Sequence, residues 1–358
     1  MSRAGRVALA ALAVTAFALA AATTTRAVPA PWGACTGERD AYARYGWPVA
    51  PFDRQHPIRG AFGDPRTVER SDQTVDGPRS VGSFTFHNGI DIVAKDGTDV
   101  YAVVTGTAVV KHRFEVSVHV KGGRIFQYWH IVPQVRTGQV VVADRTVLGR
   151  IKHGAHHVHL SEIDGLRAVN PLAPGHLGPY SDTQPPAVKA VLARSRVGAP
   201  LRLDRLRGSV ALLADTIDSQ PLRFWGPWFG MPVMPASVRW QLLANDGSSV
   251  LPWRVAVDFR VHEPRSALFW DIYGPGTHQN FPVLQDRFHF GEPGRYLVRL
   301  THFLLDTRTL PNGRYVVSIE ASDVCGNRGV LRQPVVVANT GVPAGPKLEV
   351  SALARPIP

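Results

Sequence analysis

Short apolar runs, each ended by glycine or another turn residue, most limit how this chain can fold. They recur roughly every ten residues, and no helical period is sustained between them. In the first half the runs occupy residues 100–104, 108–110, 116–120, 125–129 and 140–142. The 33 glycines and 29 prolines suit many turns and short strands. The pattern predicts antiparallel β-sheet rather than helix.

A second strand-rich segment follows a proline-rich stretch at residues 168–186, which we interpret as a linker. Its apolar runs occupy residues 210–214, 254–259, 295–299 and 315–319. Residues 182–186 resemble the lead-in of many exported bacterial sandwiches, and residues 321–327 resemble their last hairpin. The segment is therefore expected to form an immunoglobulin-like β-sandwich.

The N-terminus indicates export. Arg3 and Arg6 precede sixteen uncharged residues at positions 7–22, which fit a signal-peptide core and are short for a membrane span. Cleavage is expected after Ala27 or Ala30, and an uncleaved anchor is the alternative. No later segment is long and apolar enough to cross a bilayer. Both readings place the bulk of the chain in the periplasm, in the cell wall or outside the cell.

The two cysteines, Cys35 and Cys325, permit one disulfide in an exported protein. Such a bridge would join the mature N-terminus to the C-terminal domain. Lipid attachment at Cys35 is the alternative, although Trp32, Gly33 and Ala34 lack the aliphatic residue usual before such a site.

The net charge of +12 predicts affinity for polyanions. No nucleic-acid recognition motif is present, so we expect no nucleic-acid partner. An anionic cell-wall polymer or membrane surface is the remaining candidate. Arginine-rich usage that merely follows a GC-rich genome explains the charge equally well.

Histidines carry the chemistry of the first half. His157 and His159 are two apart on an expected strand, so their side chains share a face about 6.6 Å apart. One imidazole can bind a metal while the other handles a proton. His87 and Asp91 would lie about 13 Å apart on a straight strand, so the chain must bend, as Gly89 permits. Two imidazoles and a carboxylate are typical of catalytic zinc, which keeps a fourth position open.

This ordered set resembles the lysostaphin-type family of peptidoglycan metallopeptidases. The residues that carry the resemblance are Arg59-Gly-Ala-Phe-Gly-Asp-Pro65, His87-Asn-Gly-Ile-Asp91, Gly97-Thr98, Tyr128-Trp-His130 and His157-Val-His159. They span residues 57–166, under a third of the chain. Two differences limit which properties of the family can be expected of this chain. The loop before His157 is short and basic where the family has a Gly/Ser/Thr-rich loop, and Ser161 stands where the family often has Glu.

The resemblance implies one Zn²⁺ per chain, held by His87, Asp91 and His159. His157 would be the base that activates the attacking water, and His130 would orient that water or stabilise the growing charge. It also implies a small, mostly antiparallel β fold with the site in a groove. Peptidoglycan would be the substrate, and the activity would be that of a zinc metalloendopeptidase.

The expected fold class is thus mainly β, with a small antiparallel β metallopeptidase domain followed by an immunoglobulin-like sandwich. The expected divisions are a signal peptide at 1–30, an arm at 31–56, the peptidase domain at 57–167, a linker at 168–186, the sandwich at 187–340 and a flexible tail at 341–358.

Three functions compete. The first is an active peptidoglycan endopeptidase, which the complete histidine set favours. The second is a non-catalytic cell-wall-binding or amidase-activator protein on the same fold. The third is a zinc peptidase acting on exported proteins. His112, His119, His153 and His156 are expected to be structural or surface residues, although His156 could line the groove. Five tryptophans, at 225, 228, 240, 253 and 270, are expected to pack in the second domain rather than to bind sugars.

Overall fold

The computed structural model describes residue 35 and residues 44–69, 82–224, 226–281 and 291–339. The expected signal peptide, most of the arm before residue 44, and the tail at 341–358 lie outside these ranges, as does Trp225. Within them, no helix has the length and apolar character needed to cross a membrane.

Thirteen strands are described before residue 170. They are β1 Ile58–Gly60, β2 Pro65–Glu69, β3 Gly82–Phe86, β4 Ile90–Val93, β5 Asp99–Tyr101, β6 Gly106–His112, β7 Glu115–His119, β8 Ile125–Trp129, β9 Ile131–Pro133, β10 Val140–Val141, β11 Val147–Ile151, β12 His157–Asp164 and β13 Arg167–Val169. Four of the five expected runs in this half coincide closely with β6, β7, β8 and β10. The run at 100–104 is strand only at its start, in β5.

The largest sheet of this half has the strand order β1-β4-β12-β8-β7-β6-β10, and β13 pairs with β12. A second sheet has the order β5-β11-β9, and β2 pairs with β3 in a two-stranded hairpin. Strand β12 lies inside the large sheet and is buried along most of its length, whereas β8 alternates buried and half-buried residues. A strand between two neighbours gives its side chains fixed positions, which is what a site built on β12 requires.

Nine strands follow. They are β14 Ala187–Ser195, β15 Pro200–Leu201, β16 Ser209–Ile217, β17 Ser237–Ala244, β18 Ser249–Asp258, β19 Tyr296–Arg299, β20 Leu305–Asp306, β21 Gly313–Ser322 and β22 Arg328–Val337. One sheet has the order β15-β14-β16-β19 with β20 on β16, and another has the order β18-β17-β21-β22. One short α-helix, α1 Phe269–Ile272, and 3₁₀ turns at Ser266–Leu268 and Thr307–Thr309 complete the described elements.

The expectation of a mainly β protein with several antiparallel sheets is confirmed, because every pair of named strands in the described ranges is antiparallel. The expected last hairpin is present as β21 and β22, joined at residues 323–327. The immunoglobulin-like assignment of the second half and the exact domain boundaries stay predictions.

An aromatic cluster joins the two halves. Phe86 at the end of β3 packs against Phe259 and Tyr273, with ring centroids 5.6 and 5.8 Å away. Tyr273 donates its hydroxyl proton to the carbonyl of Gly63 at 2.6 Å. The buried carboxylate of Asp64 accepts the backbone N–H of Met234 at 2.7 Å. Apolar packing and satisfied polar groups therefore fix the second half against the hairpin that precedes the histidine motif.

The segments expected to be an arm and a linker also pack. Trp47 is fully buried and donates its indole N–H to the carbonyl of Pro179 at 2.9 Å. Asn170 is buried and donates to the carbonyl of Phe259 at 3.0 Å. Cys35 and Cys325 form a disulfide across 290 residues of sequence, so the alternative of lipid attachment at Cys35 does not hold in this structure.

Candidate metal centre

The register of three neighbouring strands brings Asp91 and His159 together. Asp91 on β4 pairs directly with His159 on β12, and His159 pairs on its other side with Trp129 on β8. His157 and His159 are two positions apart on β12 and point to the same face, as the sequence predicts. His130 follows β8 immediately, next to the same part of β12.

His87 reaches this point because the chain turns between β3 and β4. Residues 87–89 belong to neither strand, which confirms that the chain bends there. The reason for glycine at position 89 differs from the one expected. Its backbone is not in the left-handed region; instead, a Cβ would collide with the carbonyl oxygen of Leu160 and lie 2.8 Å from His159 Nε2. Gly89 is required by close approach to β12 rather than by backbone freedom.

Three atoms converge at the centre of the site. His87 Nε2 lies 2.8 Å from His159 Nδ1, and Asp91 Oδ1 lies 3.1 Å from each of these nitrogens. All three residues are buried. The structure therefore assembles the set that the sequence predicts, His87, Asp91 and His159, into a group that could hold a metal ion.

The hydrogen bonds of the two imidazoles fix which nitrogens carry protons. His87 Nδ1 lies 2.8 Å from the carbonyl oxygen of Ala61, so Nδ1 carries the proton and Nε2 presents a lone pair. His159 Nε2 lies 2.6 Å from Ser161 Oγ, whose own proton is directed to Asn88 Oδ1 at 3.4 Å. His159 Nδ1 then presents a lone pair as well. Two lone pairs and a carboxylate oxygen thus face one another without a donor, and a cation satisfies such a set.

Two polar contacts hold these ligand atoms in place. Ser161 is fully buried and fixes the ring of His159, while Arg66 donates to Asp91 Oδ2 at 2.9 Å and leaves Oδ1 facing the imidazoles. Burial opposes ionisation of Asp91, but His87, His157 and Arg66 outweigh it and hold the pKa of Asp91 well below its usual range. Burial, followed by the charge of Arg66, lowers the pKa of His87 to about 3. A neutral imidazole is the form that binds a metal.

His157 and His130 lie beside the three converging atoms. His157 donates from Nδ1 to the carbonyl of Ala155 at 2.7 Å, so its Nε2 carries a lone pair, 3.5 Å from Asp91 Oδ1. The rings of His130 and His157 lie 4.4 Å apart. His130 has φ 68°, a left-handed conformation that is uncommon outside glycine and clusters at functional sites. Burial lowers the pKa of His130 to about 4 and that of His157 well below its usual range.

An open groove leads to this centre, and both halves of the chain line it. The short basic loop before His157 contributes Lys152, Gly154, Ala155 and His156. The second half contributes Pro227, Trp228, Gln279 and Asn280 to the lining. A molecule lying in the groove would therefore touch residues from both halves.

Comparisons with known proteins give limited similarity. No protein-family model matches this chain, and no curated protein matches it. Among solved structures, the SpoIIQ–SpoIIIAH pore-forming complex is matched at 21% identity over 37% of this chain and 90% of that chain, with a TM-score of 0.27. An M23 metalloprotease, pseudoalterin from the deep sea, is matched at 18% identity over 39% and 82%, with a TM-score of 0.25. Csd3 of Helicobacter pylori is matched at 19% identity over 36% and 35%, with a TM-score of 0.24. Likenesses of this size carry no argument about activity.

The four histidines that were expected to be structural or surface residues lie outside the centre. The side chains of His112, His153 and His156 are mostly exposed, and His119 lies on β7 in the half-buried class. His156 also lines the groove, where Asp96 accepts the backbone N–H groups of His156 and Gly154 and anchors the loop. Glu162, to which the sequence assigns no role, is buried and paired with Arg124 at 2.7 Å.

The tryptophans divide between packing and exposure. Trp240 is buried in the core, and Trp270 packs against Phe84 with ring centroids 4.9 Å apart. Trp253 is exposed beneath the guanidinium of Arg239. Trp228 lies in the groove wall, where packing within one domain does not account for it.

The sequence alone indicates no site role for Ser161, Arg66 or Arg59, and it predicts that Trp228 packs in the second domain. Ser161 lies two residues after His159, so its proximity in sequence was a usable signal, whereas Arg66 lies 21 residues before His87 and gives no such signal. Trp228 reaches the groove from 64 residues beyond the end of β12, and no local pattern indicates that. The described ranges hold a second group of metal-compatible residues, the buried Asp182, Asp218 and Asp323.

Proposed function

We propose that this protein is an exported zinc metalloendopeptidase that hydrolyses peptide bonds in bacterial peptidoglycan. The observation that carries the proposal is the convergence of His87 Nε2, Asp91 Oδ1 and His159 Nδ1 at the floor of an open groove, beside two further imidazoles. Three nitrogen and oxygen ligands with access from solvent are typical of catalytic rather than structural zinc.

His87, Asp91 and His159 would hold the zinc ion. When bound, zinc supplies a Lewis acid that polarises a carbonyl and lowers the pKa of a water molecule. Ser161 and Arg66 keep the ligand atoms oriented by binding the far side of His159 and of Asp91.

His157 is the residue placed to move protons. Its Nε2 lone pair faces the centre, so Nε2 can accept a proton from the attacking water and return it to the leaving amine. His130, whose ring lies 4.4 Å from that of His157, can orient the water or donate to oxygen as negative charge develops there.

Peptidoglycan as substrate rests on the sequence motifs and on the expected export, with the net charge of +12 as minor support for contact with anionic wall polymers. The basic loop at Lys152–His156 forms one wall of the groove, so the choice of bond is expected to differ from that of enzymes with a longer loop.

The mature protein should clear purified sacculi in a gel overlay and release muropeptides that mass spectrometry can identify. An unrelated unfolded protein, supplied at the same concentration, tests for general proteolysis. His159→Ala should abolish clearing, whereas His112→Ala, which removes an exposed histidine, should not. Zinc binding without any cleavage would indicate a wall-binding or activator protein instead, and faster cleavage of the unrelated protein would indicate an exported-protein peptidase.

A further inference from the structure

Arg59 occupies an unusual position at the side of the centre. It lies on β1, and its Nη2 donates to His157 Nε2 at 3.3 Å. Its guanidinium carbon lies 4.1 Å from the ring centroid of Trp228, which comes from the second half of the chain. Its Nε is buried without a hydrogen-bond acceptor. The charge is therefore fixed in place by an aromatic face and one imidazole.

No carboxylate of the described ranges lies within ion-pair distance of Arg59. Arg66, which lines the same groove, shows the contrast, because it pairs with Asp91 at 2.9 Å and approaches Asp64 at 3.9 Å. A partly buried guanidinium without an anion is costly, and burial lowers the pKa of Arg59 to about 10. The buried Nε–H of Arg59 lacks an acceptor, and a bound ligand would supply one.

The groove around Arg59 is positively charged as well. Lys152 also lines the groove, with its Nζ 4.9 Å from the ring centroid of Phe114. Of the described residues that line the groove, Asp91 alone carries a carboxylate, and Arg66 already pairs with it. A negatively charged group entering the groove would meet cations near Arg59 and no free carboxylate.

We propose that Arg59, stacked on Trp228, binds a carboxylate of the substrate next to the scissile bond, so that this protein prefers peptides carrying a free carboxylate at that position. The inference rests on the proposed function and adds the substrate class. A guanidinium offers a planar fork that binds both carboxylate oxygens, which gives direction as well as charge. Trp228 restricts the guanidinium plane and so makes the second half of the chain part of the specificity site.

The occupied subsite also affects His157. In the structure Arg59 donates to His157 Nε2, the lone pair that must accept a proton during hydrolysis. A substrate carboxylate competes for the same guanidinium and draws it from His157. The lone pair then becomes available when the correct substrate is bound.

Two sources could supply the carboxylate, the C-terminus of a stem peptide or a side chain along it. Muropeptides are first treated so that only part of their carboxylates are converted to amides. The mixture then contains the free acid and the amide at the C-terminus and at each side chain. The full-length mature protein digests the mixture, and mass spectrometry follows the loss of each species. Because each acid competes with its own amide in the same reaction, their relative rates of loss give the ratio of their kcat/KM values. The position of the amide that slows cleavage identifies the source.

Wild type should cleave the free acid roughly 10- to 100-fold faster than the amide at one position, the range expected for a charge-assisted hydrogen-bond pair. Arg59→Gln should bring that ratio close to one, Arg59→Lys should leave it intermediate, and Trp228→Leu should reduce it. Arg54→Gln, at an exposed position, should keep the wild-type ratio. Equal ratios in wild type and Arg59→Gln at every position would overturn the proposal.

The subsite can also be tested if the protein proves not to be a peptidase. If wild type cleaves no muropeptide, equilibrium binding of the same uncut mixture decides on the subsite alone. If wild type binds the free acids more tightly than the amides and Arg59→Gln does not, the result supports the subsite. If wild type binds acids and amides equally, the result overturns it. Thermal melting checks that each variant is folded, and Trp228→Leu supplies a second test if Arg59→Gln is not.

Discussion

His87 Nε2 and His159 Nδ1 face each other at 2.8 Å, each with its lone pair directed at the other and at Asp91 Oδ1. This arrangement is repulsive without a cation, so we expect one zinc per chain in the purified protein. The zinc content of His159→Ala should fall below about one tenth of the wild-type value, because the two remaining ligands bind zinc weakly. Elemental analysis measures both. Full zinc occupancy in His159→Ala would show that the metal lies elsewhere.

His157 should affect rate without affecting metal content. Its Nε2 lies near Asp91 but is not one of the three converging atoms. We expect His157→Ala to keep its zinc and to lose activity on sacculi by about 10²- to 10⁴-fold, the usual contribution of a general base. Elemental analysis and muropeptide release are measured on the same preparation. An unchanged rate of release would remove His157 from the proton-transfer role.

Ser161 should influence zinc affinity although it does not touch the metal position. It accepts the Nε2–H of His159 and thereby keeps Nδ1 free for binding. Ser161→Ala should weaken zinc affinity by about 10- to 100-fold, as is typical when the partner of a ligand imidazole is removed. Competition with a chromogenic chelator measures the affinity. Ser117→Ala, a buried serine on β7, is the matched control and should keep the wild-type value.

Gly89→Ala should disturb both fold and centre. A Cβ at this position would collide with the Leu160 carbonyl and approach His159 Nε2 to 2.8 Å. We expect a loss of about 1–3 kcal/mol in the free energy of unfolding, together with weaker zinc binding. Urea unfolding and chelator competition test the two effects. Gly97→Ala adds strain at positive φ but meets no atom, so it should reduce stability without changing zinc affinity.

The stability contributed by the buried carboxyl groups of Asp182, Asp218 and Asp323 should fall between about pH 5 and pH 8. Burial raises the pKa of Asp218, of Asp323 and of Asp182, the last to about 6. Repulsion from Asp323 adds to the rise at Asp182, and repulsion from Asp323 and Asp182 adds to the rise at Asp218. A folded-state pKa above the unfolded value means that the folded protein holds protons that the unfolded chain releases. The stabilisation is complete at low pH and is lost as the pH rises through the folded pKa values, at most about 1.4 kcal/mol per pH unit and proton.

Asp218→Asn tests this pH dependence directly. The amide keeps an oxygen for the N–H of Ser219 and removes one buried charge. The variant should therefore gain stability over wild type at pH 8, on the order of 1 kcal/mol or more, and little at pH 5. Urea unfolding in the presence of a chelator measures both, with exposed Asp53→Asn as the control. A difference in stability between Asp218→Asn and wild type that does not grow from pH 5 to pH 8 would contradict the prediction.

The sequence predicts the strands well wherever apolar runs are bounded by glycine, as in β6, β7 and β8. The spacing also predicts that His157 and His159 share a face, since they are two positions apart on β12. The convergence of His87, Asp91 and His159 was implied by the family resemblance, whereas the pairing of β4 with β12 was not predicted. The prediction for residues 100–104 is wrong beyond Tyr101, where a buried apolar run continues as turn. Burial alone does not distinguish strand from a packed turn.

Contacts between distant segments could not be predicted. Arg59 meets Trp228, and Asp64 meets Met234, across some 170 residues of sequence each. No period or motif encodes such a pairing, since it depends on how two separately formed sheets pack. The same holds for the reason behind Gly89, which is visible only once β4 lies against β12.

The disulfide between Cys35 and Cys325 closes a covalent ring that contains both halves of the chain and every residue of the groove. A protease that cuts once inside this ring opens it but releases no fragment. The nicked molecule would migrate at full mass on a non-reducing gel and separate into two bands only after reduction. Damage in the loops around the groove therefore need not detach the wall that carries Trp228 from the strands that carry the histidines.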